Sequence, residues 1–561
     1  MNEQPRIKSN LEYLRKLFIM PDSPDKFVEF GDELLEMIHD FFQEKGGIHS
    51  SISLPELSKI FNQKTLPHEP HLIKDVLTEI KTKIIAHSVK VGNPYYIGHM
   101  ISAVPYFMIL LEMIIAALNQ NQVKIETAKA SSFVERELVA WLHRLVFNRT
   151  DRFYEKNIQN HRIALGNVTS DGSLANVTAL LVAREKAFPP DADFPGFRMA
   201  GMHRALQHHG YDRGVVMVST RGHYSIKKAV NLLGLGEENV INIPVDEKNR
   251  ININKLRRKI DSFEETESKT KIIAIVGIAG TTETGNVDDL DALGKIARET
   301  GAYFHVDACW GGSALLADNY RGLFNGISKA DSVSIDAHKL LYCPMSMGLI
   351  LFRNEKDLNT IRHSSKYIIR RNSVDMGRFT IEGSRPFAAL KPWASLKIIG
   401  REGYGILMKQ AQKATENLLG IINRCGNFEA LNDPDLFILT YRFLPETLKN
   451  HMARLEETLE FKKGAAKKES EQKIRKINFL ANGLNIKLHK ALRRDDTTFV
   501  SRTTLESTRY RPQNIVVLRA VLMNPLINRK VLEEIVETQN RIGLHLWKEF
   551  EPAYRKIINE K

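Results

Sequence analysis

Two runs decide how this chain folds: YFHVDACWGG, residues 303–312, and SVSIDAHK, residues 332–339. Each opens as a short apolar stretch and closes on a charged residue followed by small or polar ones. That is the pattern of a buried strand that delivers a side chain at its carboxyl end. Outward from them the pattern repeats. RIALGNV leads into a helix from Ser173 to Lys186, GVVMVS into IKKAVNLLGL, VINIPV into INKLRRKIDSF, and KIIAIVGI into LDALGKIARET; GLILFR follows SVSID. Strands alternating with helices specify an α/β fold with a mostly parallel, helix-covered sheet. Ligands of such sheets lie at the carboxyl ends of the strands.

The flanks differ in character. Up to about residue 120, LEYLRKLF, FGDELLEMIHDFF and HLIKDVLTEIKTKII carry apolar residues at helical spacing. From about residue 396 longer helices surround a strand pair at FEALN and LFILTYRF, a strand at NIVVLRAVLM and a final helix VLEEIVETQNRIGLHLWKEF. The expected organisation is an N-terminal helical segment (1–120), a large domain (121–395) and a smaller C-terminal α+β domain (396–561). No internal repeat is visible.

Composition excludes several classes. Of 561 residues 43% are hydrophobic, which rules out wholesale disorder. Lys and Arg number 80 against 66 Asp and Glu, a formal net charge of +14. This charge is spread along the chain and favours small anionic substrates and phosphorylated cofactors. The one dense block, KKGAAKKESEQKIR (462–475), also holds glutamates and reads as a solvated linker or exposed helix face. No nucleic-acid-binding motif is present, so a basic scaffold or nucleic-acid-binding role is a distant alternative. Cys309, Cys343 and Cys425 form neither a disulfide framework nor a metal-finger spacing. No metal site is expected, and the expected location is the reducing cytoplasm. The N-terminus lacks a signal-peptide pattern. The apolar window AVPYFMILLEMIIAAL (103–118) is too short for a membrane span and is interrupted by Glu112, so it reads as a buried helix.

Five strand ends carry polar groups. TSDGSLAN (169–176) places Gly172 and Ser173 at a helix start, where free N–H groups and the helix dipole bind an anion; alone, a Ser or Asp there is an ordinary N-cap. TRGHYS (220–225) offers His223 as a ring that could stack on a ligand or simply cap a helix. In AGTTETGNVDDL, Gly280, Thr281 and Thr282 form a tight turn ahead of Asp288 and Asp289. Asp307 is a carboxylate that wants a cationic partner, such as a protonated heterocycle nitrogen. Lys339, after His338, is a candidate Schiff-base lysine. A phosphate cradle, a stacking ring, an acid for a ring nitrogen and a Schiff-base lysine are the groups that pyridoxal 5′-phosphate needs.

HVDACWGG followed by SVSIDAHK resembles the group II pyridoxal-phosphate-dependent amino-acid decarboxylases, from about NPYYIGHM at residue 93 to NPLINRKVLEEIVETQNRIG near the end. YIGHMISAVPYFMILLEMIIAALNQNQVKIET and GIAGTTETGNVDDLDAL are most similar to the aspartate-decarboxylating branch, itself glutamate-decarboxylase-like.

The resemblance implies a fold of the aspartate-aminotransferase type (fold type I), with a seven-stranded sheet, and a homodimer with active sites at the interface. Lys339 would bind the cofactor covalently. Asp307 would pair with the pyridinium nitrogen, and His223 would stack on the ring and serve as a candidate proton donor. Gly172 and Ser173 would hold the phosphate, with Asn176 nearby. Thr281 would sit close to the ring, His338 beside the lysine, and Cys309 where the family has alanine. Arg385, in EGSRPFAALKPW, would bind the substrate carboxylate. His99 falls where glutamate decarboxylases have a substrate-contacting glutamine. The implied reaction is decarboxylation of L-aspartate to β-alanine, which feeds pantothenate and coenzyme A synthesis, with glutamate or cysteine sulfinate as alternative substrates. Besides Cys309, the chain departs from the family at Asn93–Pro94 for His-Pro, at Asp171 for a second glycine, and in a loop at Arg371 to Thr380 without the tyrosine that donates a proton in some relatives.

Overall fold

The computed structural model describes residues 11–559 apart from 13, 45, 69, 366–368, 371–372 and 460. The chain divides into two compact units: Met1–Gly92 with Arg494–Thr498, and Asn93–Arg493 with Phe499–Lys561.

The first unit carries helices Phe27–Gln43, Leu54–Ile60 and Ile73–Glu79. The second of these starts on a capping box, in which Ser53 and Glu56 each receive the other's backbone N–H. Ile48 N–H bonds the Asp496 carbonyl and Lys90 N–H bonds the Ile48 carbonyl, each at 2.8 Å, which stitches 494–498 into this unit.

The helical segment expected over 1–120 therefore ends earlier. From Asn93 the chain belongs to the second unit, because Ile97 N–H bonds the Phe499 carbonyl (2.9 Å), Val521 N–H bonds the Ile97 carbonyl (2.6 Å), and the Tyr96 ring stacks on Phe499 at 4.6 Å. The boundary expected at 395/396 falls inside helix Leu390–Ile398, and both sheets lie in the second unit.

The larger sheet has seven strands, β1 (Gly166–Thr169), β2 (Arg213–Ser219), β3 (Val240–Ile243), β4 (Thr270–Ile278), β5 (Tyr303–Asp307), β6 (Ser332–Asp336) and β7 (Gly348–Phe352), in the order β1-β7-β6-β5-β4-β2-β3. Only β7 runs against its neighbours, pairing antiparallel with both β6 and β1. Two reversals restore direction, so β1 runs with β2, β4, β5 and β6, and the carboxyl ends of all five lie along one edge.

Period-2 alternation sorts the strand side chains between two helical layers. Ala274, Val276, Val216 and Val218 join the core around Ala175, Ala179 and Leu180 of helix Gly172–Ala187. Ile275, Val215 and Met217 join the core around Leu290, Leu293 and Ile296 of helix Leu290–Thr300. A sheet covered on both faces reads as continuous apolar runs, which is why these strands are legible in sequence.

A second, four-stranded antiparallel sheet has the order β10-β11-β9-β8: β8 (Phe428–Ala430), β9 (Ile438–Phe443), β10 (Ser501–Glu506) and β11 (Asn514–Val521). Strand β10, SRTTLE, gives no apolar signal because it is a largely exposed edge. The basic stretch 462–475 runs into helix Gly464–Asp495.

The apolar window 103–118 forms helix Tyr106–Leu118, but it is not the buried helix expected. Only Met108 and Ile115 are buried, while Tyr106 (80% exposed), Leu110, Met113, Ile114 and Leu118 are exposed on the single chain. The interrupting Glu112 lies 2.5 Å from Nζ of the buried Lys391.

Candidate active site

The shared sheet edge gathers most of the residues singled out from sequence. After β1, Asp171 caps helix Gly172–Ala187, its Oδ1 accepting the Leu174 N–H at 2.8 Å. The residue that departs from the family pattern is thus the N-cap. The next two N–H groups, of Gly172 and Ser173, have no acceptor within the helix. A Cβ on Gly172 would lie 2.8 Å from Asp336 Oδ2, so glycine keeps this cradle open.

Asp307 ends β5 and is buried. Its Oδ1 accepts the Cys309 N–H at 3.1 Å, and its Oδ2 accepts Asn176 Nδ2 at 2.9 Å. Burial works to raise its pKa, but His223, His305, Lys339 and the Cys309 hydrogen bond outweigh that and hold it below the ordinary carboxylate value. Asp307 is thereby kept ionised. Asn176, expected near a phosphate, is committed to Asp307 and Ser225 instead.

His223 is the N-cap of helix Tyr224–Leu232, and its Nδ1 faces the Ser225 hydroxyl at 2.8 Å and the Ser225 N–H at 3.3 Å. Burial lowers its pKa despite the nearby Asp307.

Lys339 follows β6. Its Nζ lies 2.9 Å from Asp336 Oδ2, and Asp336 Oδ1 is buried with no hydrogen-bond partner among the described residues. Burial opposes the charge, yet the Asp336 carboxylate in particular carries the pKa above the ordinary lysine value. His338 donates from Nδ1 to the Met347 carbonyl (3.0 Å), which anchors the segment before the lysine. The buried Cys309 thiol lies 3.3 Å from Ser334 Oγ, and burial raises its pKa.

Thr281 is fully buried, and its hydroxyl is engaged within its own turn, 2.7 Å from Thr284 Oγ1 and accepting the Asn286 N–H. Gly280 before it has φ +105°, and a Cβ there would meet Trp310 Cδ1 at 2.7 Å, so this turn requires glycine.

Arg385 is a correction. Its terminal nitrogens make two 2.6 Å bonds to Glu135, with the side chains 4% and 0% exposed. That guanidinium is committed to a buried ion pair. The arginine within electrostatic range of His99, along with Lys339 and His338, is Arg519 on β11. Its Nε, like that of Arg385, is buried without a hydrogen-bond partner among the described residues, but no ion pair holds its terminal nitrogens there, and burial lowers its pKa against the pull of Glu283. Sequence reading passed over Arg519. The available signal was a lone cation inside the apolar run NIVVLRAVLM, where an unpaired charge is costly. His99 itself is exposed on the single chain. Of the loop at 371–380, Arg371 and Asn372 lie outside the described residues.

The cradle at Gly172, the ionised Asp307, the His223 ring and Lys339 beside an orphaned carboxylate oxygen fit pyridoxal 5′-phosphate. Together with the fold they define an enzyme of the pyridoxal-phosphate class.

Residues 55–443 match the family described as the pyridoxal-dependent decarboxylase conserved domain. The chain is 37% identical over 536 residues to the aspartate 1-decarboxylase of Aliivibrio fischeri, covering 95% of each chain. It is 29% identical to mouse cysteine sulfinic acid decarboxylase, covering 67% of this chain and 72% of that protein. Among solved structures, the glutamate decarboxylase domain of a diaminobutyrate-pyruvate transaminase and L-2,4-diaminobutyrate decarboxylase from Vibrio parahaemolyticus superposes with a TM-score of 0.75 at 20% identity, covering 95% of this chain and 99% of that one. The chain belongs to the pyridoxal-dependent decarboxylase family and is a pyridoxal-phosphate-dependent amino-acid decarboxylase of fold type I.

Proposed function

We propose that this enzyme removes the 1-carboxylate of L-aspartate as carbon dioxide and releases β-alanine, a precursor of pantothenate and coenzyme A. The observation that carries the reading is the likeness to the Aliivibrio fischeri aspartate 1-decarboxylase along 95% of both chains. Arg519 suits an acidic substrate, offering a partly desolvated guanidinium within range of His99, which Lys339 also reaches.

Pyridoxal 5′-phosphate, when bound, supplies a pyridine ring that accepts the electron pair left behind as carbon dioxide departs. Lys339 is the residue that anchors it. The Gly172 and Ser173 N–H groups, at a helix N-terminus, bind its phosphate. The ionised Asp307 accepts the ring N–H and keeps that nitrogen protonated. Arg519 holds the carboxylate that is retained, which orients the scissile one. His223 would lie against the ring and supply a proton to the substrate carbon.

We also read the enzyme as a cytoplasmic homodimer. The exposed apolar residues of helix Tyr106–Leu118 form a surface that a second copy would cover, and the three cysteines are unpaired.

The test offers the purified enzyme, loaded with pyridoxal phosphate, aspartate, glutamate and cysteine sulfinate in separate reactions, with products identified by mass. β-Alanine as the dominant product supports the proposal. γ-Aminobutyrate or hypotaurine as the dominant product keeps the decarboxylase and overturns the substrate.

A further inference from the structure

We propose that Asn176 is a positioning residue that, through Ser225, holds His223 in the neutral tautomer with its proton on Nε2, while its other amide hydrogen holds Asp307. The proposal deepens the reading of His223 given above and rests on it for its catalytic meaning, though not for the tautomer itself.

The orientation of the Asn176 amide is determined by its neighbours. An ionised carboxylate only accepts hydrogen bonds, so the group 2.9 Å from Asp307 Oδ2 is the amide nitrogen. The second N–H of that nitrogen points to Ser225 Oγ at 3.0 Å. On the opposite side, Asn176 Oδ1 lies 2.9 Å from Ser334 Oγ and 3.0 Å from His305 Nε2. An amide oxygen also only accepts, so His305 carries its proton on Nε2. Burial lowers the His305 pKa to about 4, so this ring is neutral, and its Nδ1 takes the Ser332 hydroxyl at 2.9 Å, closer than the Ser332 carbonyl at 3.3 Å. Asn176, 1% exposed, thus has both hydrogens and both lone pairs occupied and no freedom to flip.

That polarity passes outward. Ser225 Oγ receives a hydrogen from Asn176 and lies 2.8 Å from His223 Nδ1; a hydroxyl oxygen can accept twice, so the direction of this contact is set by the other group at that nitrogen. The Ser225 backbone N–H points at the same nitrogen from 3.3 Å. That N–H can only donate, so Nδ1 presents a lone pair and the hydroxyl hydrogen is directed to it. The ring proton is left on Nε2, on the side away from Ser225. One buried amide so links the acid that faces the cofactor nitrogen to the proton that His223 has available to donate.

Ser225→Ala is the informative variant, because it removes the relay hydroxyl without adding volume and leaves the Asn176–Asp307 bond in place. The first readout is nitrogen-15 NMR of histidine-labelled full-length protein without cofactor, with the His223 signal assigned by its loss in His223→Asn. The wild type should show only the Nε2–H tautomer, and Ser225→Ala and Asn176→Ala should each show a mixture. The second readout is kcat on the loaded enzyme. Ser225→Ala should lower it roughly tenfold with KM little changed, short of the ~10²–10⁴ expected for losing a general acid outright. The Asn176→Ala/Ser225→Ala double variant should be no slower than Asn176→Ala alone. A wild-type ring protonated on Nδ1, or a tautomer unchanged in both single variants, would overturn the proposal even if the enzyme makes β-alanine. Retention of the tautomer pattern by an enzyme that forms a different amine would overturn only the substrate.

Discussion

Lys339 Nζ lies 2.9 Å from Asp336 Oδ2, three residues earlier in the chain, and the other oxygen of Asp336 is buried with no hydrogen-bond partner among the described residues. The pair favours the ammonium form of the lysine, whereas the covalent attachment proposed for Lys339 needs the neutral amine. Because Asp336 raises the lysine pKa, Asp336→Asn should lower it and enlarge the neutral fraction at any given pH. The pH at which half the added pyridoxal phosphate is attached should move down by roughly one to three pH units. Absorbance titration of the bound cofactor measures this, and an unmoved midpoint would contradict the pairing. Lys339→Ala should abolish both attachment and turnover.

Asp307→Asn removes the negative charge proposed to face the ring nitrogen while keeping the shape of the side chain. Cofactor should remain bound, and kcat should fall by about 3 kcal/mol of barrier, on the scale of losing one oriented electrostatic partner. An unchanged kcat would refute the role assigned to this carboxylate.

Two arginines should separate by the kind of damage they cause. Arg385→Gln strands Glu135, a fully buried carboxylate, and should cost about 3–5 kcal/mol of stability, read as a lower urea midpoint. KM of any surviving folded enzyme should stay near wild type. Arg519→Gln should leave the midpoint close to wild type and raise KM for aspartate by roughly thirtyfold, the equivalent of about 2 kcal/mol for a charge-assisted hydrogen bond. The reverse assignment would restore Arg385 as the substrate anchor.

Helix Tyr106–Leu118 exposes Met113 (43%) and Ile114 (47%) on the single chain. If a second copy covers them, Ile114→Glu should shift the sedimenting species from dimer toward monomer at micromolar concentration. A wild type that sediments as a monomer would remove the reason for this apolar face.

Much of the architecture could be read from the chain alone, for a physical reason. Strands β2, β4, β5 and β6 are covered on both faces, so they appear as unbroken apolar runs ended by polar residues at the ligand edge. Asp307, His223 and Lys339 were visible because Asp307 ends such a run and the other two stand just beyond one. Strand β10 was invisible because an exposed edge strand has no apolar face to conserve its pattern. Pairing across long separations was equally hidden. Nothing local to EGSRPFAALKPW says that Arg385 meets Glu135, 250 residues earlier, and nothing local to VVLRAVLM says that Arg519 comes within range of His99. The alternation of strands with helices, the cofactor class and the residues that end each strand were legible in local sequence, since periodicity and turn chemistry act over a few residues, whereas the order β1-β7-β6-β5-β4-β2-β3 is long-range pairing. Which arginine pairs with a buried glutamate, and which way the Asn176 amide points, was decided only by tertiary structure. A buried charge or amide takes its role from the partners that the fold brings to it.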